Sequence, residues 1–127
     1  MNTLKRWLPS VLLMSIIFAF SSTPSKEMPN FGLVDFLVKK GGHMFGYGLL
    51  ALANLRGLNG KHPWLAWMLT LAFAASDEFH QSFVAGRHAA ISDVLIFDNL
   101  GSLLGLLAAR LFQRWNQKGD ASAPPKN

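Results

Sequence analysis

Trp64-Leu65-Ala66-Trp67-Met68-Leu69-Thr70-Leu71-Ala72-Phe73-Ala74-Ala75-Ser76 carries no charged residue, and Asp77-Glu78-Phe79-His80-Gln81 follows it at once. The apolar run reads as the first part of a membrane-spanning helix, which needs about 20 residues to cross a bilayer. Two carboxylates and an imidazole then fall where that helix still lies in hydrocarbon. A charge at bilayer depth costs about 2.5–3.5 kcal/mol on insertion scales. A chain that carries several such groups has a use or a partner for them. This stretch therefore predicts a spanning helix and a site together.

Outward from it, the apolar residues cluster in three further segments, at about 7–22, 36–55 and 91–112, beside 64–84 itself. The expected fold is all-α, an integral membrane bundle of four transmembrane helices. Residues 1–116 form that domain, and 117–127 form a polar, disordered cytoplasmic tail. The first segment also fits a signal peptide with Ala19-Phe20-Ser21 at its cleavage site, but the membrane-like remainder favours a retained helix. The stretches Pro24 to Asn30 and Gly57 to Pro63 read as loops.

Composition bounds the function. Of 127 residues, 50% are hydrophobic and 15% charged, against about 25% charged in a soluble domain. The chain has no cysteine, which excludes disulfides, thiolate chemistry and cysteine-ligated zinc. A net charge of +5 suits nucleic acid or an anionic membrane surface. No cluster of Lys and Arg with interleaved aromatics is present, so nucleic acid is not expected as a partner and the lipid bilayer is. With the N-terminus inside, Lys5, Arg6, Arg56, Lys61, Arg110, Arg114, Lys118 and Lys126 are cytoplasmic, and Lys26, Lys39, Lys40 and Arg87 are outside. That bias places both termini in the cytoplasm. Trp7, Trp64, Trp67 and Trp115 fall near the inner boundary, as interfacial aromatics do.

The polar residues converge on one depth. With a rise of about 1.5 Å per residue, His43 lies roughly 20 Å above Arg56, Asp77 roughly 24 Å above Lys61, and Asp98 roughly 18 Å above Arg110. Lys39, His43 and Tyr47 form one stripe on the second helix. Asp77, His80 and Gln81 share one face of the third. Asp93 and Asp98 lie about 140° apart on the fourth if it is a regular α-helix. Gly101-x-x-x-Gly105 offers a small-residue face for close helix contact. The expected catalytic groups are Asp77, Glu78, His80 and His43. Asp77 or Glu78 would be a general base and a histidine would relay protons. Lys39, Tyr47, Gln81, Arg87, Asp93 and Asp98 would bind substrate, with Lys39 and Arg87 suited to an anionic headgroup. The alternative is a non-catalytic helper or structural bundle in which these charges neutralise one another. No metal site is expected: no helix carries a ligand-spaced histidine pair, and Lys39 and Arg87 oppose a cation. No cofactor motif is present.

Phe20-Ser21-Ser22-Thr23-Pro24, Lys39-x-x-x-His43-x-x-x-Tyr47, Asp77-Glu78-Phe79-His80-Gln81-Ser82-Phe83, Gly86-Arg87, Ser92-Asp93 and Asp98-x-x-Gly101 together resemble the VanZ-like family. The resemblance covers roughly residues 5–112. Ala85 stands where the family usually has proline. The resemblance implies a small polytopic protein of the bacterial inner membrane and cell envelope. One member of that family is linked to low-level resistance to the glycopeptide teicoplanin. The resemblance supplies no reaction. It leaves an enzyme or binder of an anionic lipid-linked or envelope substrate beside the non-catalytic alternative.

Overall fold

The computed structural model describes residues 2–22, 33–84 and 94–122. Every regular element among them is helical: α1 (Thr3–Ser21), α2 (Leu33–Gly57), α3 (Pro63–Gln81), a π-helical turn (Val94–Asp98) and α4 (Asn99–Ser122). Asn2 caps α1 by accepting from the Lys5 amide at 2.9 Å, which satisfies one of the donors a helix start leaves open. The expected loop after α2 is a tight turn. Asn59 and Gly60 take left-handed backbone angles there, which suit those two residue types. The Gly60 amide closes on the Leu55 carbonyl at 2.8 Å. Pro63, at the first position of α3, needs no donor there.

The fourth helix departs from expectation at both ends. Its first turn is π-helical rather than α-helical, so the angle computed between Asp93 and Asp98 does not apply. Its other end reaches Ser122, so residues 117–122 are helical and not a disordered tail. Arg110, Gln113, Arg114, Gln117 and Lys118 are good helix formers that prolong the helix past its apolar part. The loop expected at Pro24 to Asn30 lies outside the described residues.

Helix α2 packs against every other element. Contacts of Gly57 with Trp7 and Gly46 with Ile17 run in opposite senses along the two chains, so α1 is antiparallel to α2. Contacts of Gly101 with Met44 and Gly105 with Gly48 advance together, so α4 is parallel to α2. The expected glycine face is in place. A methyl group on Gly105 would stand 2.5 Å from the Gly48 carbonyl oxygen, and one on Gly101 would strike the Met44 backbone.

Burial is inverted relative to a water-soluble bundle. The interior holds Tyr47, Leu50 and Ala74 but also Ser10, Asn54, Thr70, Asp77, Asp98 and Ser102. The exterior carries Phe18, Phe45, Leu104, Leu107, Phe112 and many other large apolar side chains. Among the described residues only α1 is long and apolar enough by itself to cross a membrane. The other helices dilute their apolar residues with the buried polar groups and, in α4, with the charged final turns.

Candidate functional site

Two polar chains meet on the α2 stripe predicted from sequence. In the first, His43 Nδ1 lies 2.9 Å from Asp98 Oδ1. The π-helical turn ends on Asp98 and carries its carboxylate to α2. In the second, the Tyr47 hydroxyl donates to Asp77 Oδ2 at 3.2 Å, and Gln81 Nε2 donates to the same oxygen at 3.3 Å. The His43 and Tyr47 rings, one helical turn apart, have centroids separated by 5.3 Å and so join the two chains. Asp98 is fully buried and anchored below by Ser102, whose hydroxyl donates to the Asp98 carbonyl at 2.7 Å. Asp77 and Glu78 are 1% and 6% exposed. His43 alone of the dyad opens outward: its side chain is 33% exposed against 0% for Asp98.

The geometry fixes what His43 can do. A carboxylate held at Nδ1 favours the proton on that nitrogen and leaves Nε2 as the basic position. A histidine set this way can accept or return a proton, and in its charged form it can hold an anion.

His80 goes elsewhere. It shares a face of α3 with Asp77 by spacing, yet its ring stacks on Phe18 of α1 with centroids 4.2 Å apart, and Ser22 Oγ lies 2.9 Å from Nε2. It therefore joins α3 to α1 and does not enter the His43 cluster. Lys39 falls within α2, but its side chain lies outside the described residues, as do Arg87 and Asp93.

A second polar layer lies on residues that no sequence pattern singles out. Asn54 Nδ2 donates to Thr70 Oγ1 at 3.0 Å between α2 and α3. The Trp67 indole donates to Asn99 at 2.8 Å, so Trp67 is half-buried against the fourth helix and is not simply an interfacial aromatic. Lone Asn and Thr residues in apolar helices have no periodicity to announce them. No group of three His, Asp or Glu side chains among the described residues is placed to hold a metal ion.

The family model described as VanZ/LLP1 matches residues 6–113 of the chain, which includes all of these groups. No curated protein and no solved structure matches it.

Proposed function

We propose that this chain, which belongs to the VanZ/LLP1 family, is a four-helix protein of the bacterial inner membrane with both termini cytoplasmic. The support for spanning is the inversion of burial: leucine and phenylalanine outside, carboxylate and amide inside. In hydrocarbon such an exterior is solvated, and the polar groups must find partners within the bundle.

Within it, the His43–Asp98 dyad is the working centre of an outward-facing site for an anionic lipid-linked or envelope substrate. The observation that carries this reading is the pairing of a sealed carboxylate with a histidine that is a third exposed. Asp98 orients the ring and His43 meets the substrate, transferring a proton at Nε2 or binding an anionic group. Asp77, Tyr47 and Gln81 hold the wall behind it. Lys39, Arg87 and Asp93, whose side chains lie outside the described residues, are proposed as substrate-binding partners of this site on their chemistry alone. The phenotype attached to this activity is reduced susceptibility to teicoplanin-type glycopeptides.

Expression in a glycopeptide-susceptible bacterium tests both parts. Wild type should raise teicoplanin tolerance, and His43→Gln or Asp98→Asn at equal abundance should return it to the host level. A wild type without effect removes the resistance role. Full tolerance in His43→Gln removes the dyad. A purely structural role has its own support, because Tyr47, Asp77 and Gln81 are bonded to one another and buried. In that case the variants would lose abundance and not activity.

A further inference from the structure

Ser15, Thr70, Ser76 and Ser102 each donate to the carbonyl four residues before, the ordinary outlet for a hydroxyl on an apolar helix. Ser10 does not. It is 1% exposed, and its Oγ has no hydrogen-bond partner. Asn54 is fully buried, and its Nδ2 donates to Thr70, but its Oδ1 has no partner. The register of α1 and α2 sets these two atoms on facing residues. Trp7 lies against Gly57 and Ile17 against Gly46, so in this antiparallel pair Ser10 falls level with Asn54. Trp7, Ser10, Met14 and Ile17 recur every three or four residues and share one face of α1. Gly57, Asn54, Leu50 and Gly46 do the same on α2. The layer is closed on both sides. Leu50 and Ala74 are fully buried toward Tyr47, and the Trp7 ring covers Gly57 at the other end.

We propose that Ser10, Asn54 and Thr70 hold one buried water molecule between α1, α2 and α3. A buried donor or acceptor left unmet costs its full desolvation, and here an unmet hydroxyl faces an unmet amide oxygen. A water accepts from the Ser10 hydroxyl and donates to Asn54 Oδ1. Thr70 Oγ1 accepts from Asn54 and donates to the Ala66 carbonyl, which leaves it a lone pair for the second hydrogen of the water. Three bonds are the usual complement of a buried water. A cation fits less well. The three oxygens are neutral, and Asp77 stands seven residues beyond Thr70, about 10 Å along α3, so a cation would be an unpaired buried charge. The water gives α1 a polar tie to its neighbours besides those of Arg6 to the Gly57 carbonyl and Ser22 to His80. The inference uses burial and register alone and is independent of proton chemistry at His43.

A crystal structure of the full chain grown from a lipid mesophase, sharp enough to show ordered waters, tests it directly. Wild type should show one peak at hydrogen-bonding distance from both Ser10 Oγ and Asn54 Oδ1, and Ser10→Val should lose that peak. No peak in wild type overturns the proposal, as does a Ser10 hydroxyl bonded straight to Asn54. A peak with oxygen distances too short for hydrogen bonds marks a cation and also overturns it. Thermal midpoints in detergent give a second reading. Ser10→Ala should lower the midpoint by roughly 4 °C, the effect of one lost hydrogen bond in a chain of this size. The same change should do less in an Asn54→Leu background, where the water has lost a partner. A midpoint that stays level or rises in Ser10→Ala means that the hydroxyl was bare, and overturns the proposal.

Discussion

His43 and Asp98 meet at 2.9 Å although 55 residues of chain separate them. The contact joins one side chain that reaches the surface to one that does not, and in the proposed function the two act as one unit. Removing either member of such a unit should abolish its work, and removing both should add nothing. Teicoplanin tolerance in His43→Gln, Asp98→Asn and the double variant, each at matched abundance, should therefore be equally low. Losses that accumulate in the double variant would mean that the two residues act separately.

The Tyr47 hydroxyl bonded to Asp77 predicts a coupled stability effect. Tyr47→Phe leaves a buried carboxylate short of a donor and should cost about 1–3 kcal/mol. In an Asp77→Asn background the same change should cost less, because the charge that needed the donor is gone. Chemical denaturation in mild detergent measures both, and equal costs in the two backgrounds would show that the bond carries no coupling.

Glycines on α2 and α4 should separate sharply by position. Gly101→Ala drives a methyl group into the Met44 backbone, which cannot swing aside as a side chain can. Overpacking of this kind costs about 1–3 kcal/mol. At Gly46 the nearest atoms are those of Ile17, at 3.9 Å and beyond, so Gly46→Ala should stay within about 0.5 kcal/mol of wild type. Thermal midpoints of the two variants decide it. Equal effects would mean that the close approach of the helices is not a determinant of stability.

Orientation can be read with a single introduced thiol, since the chain has no cysteine of its own. Lys118→Cys should resist a membrane-impermeant maleimide applied from outside and react after permeabilisation. Phe83→Cys, in the exposed turn that follows α3, should react from outside without it. The reverse pattern would invert the topology.

The four helices were legible because their apolar residues cluster in runs of about spanning length, and the α2 stripe because its polar residues recur every four positions. His43 and Tyr47, four residues apart, lie on one face of α2 as that spacing requires, with Tyr47 buried and His43 partly exposed. Asp77 and Gln81 obey the same rule and are bonded to each other. His80 obeyed it only in part. Its spacing put it on the same side of α3, but a flat ring next to Phe18 gains more by stacking across to α1 than by joining the carboxylates. That competition depends on which helix lies nearby, and no local pattern encodes it. The π-helical turn was equally hidden. A change from i+4 to i+5 bonding shifts every later side chain around the axis without changing composition.

The parallel seam between Gly48 and Gly105 has a consequence in time. The two glycines are neighbours in space, yet they leave the ribosome 57 residues apart. At about 5–20 residues per second, that interval is roughly 3–11 s. Throughout it, α2 can dock on α1 and α3 while its tightest interface still lacks a partner. The last helix therefore completes assembly, since until it docks the glycine face of α2 lacks the backbone it is shaped to meet.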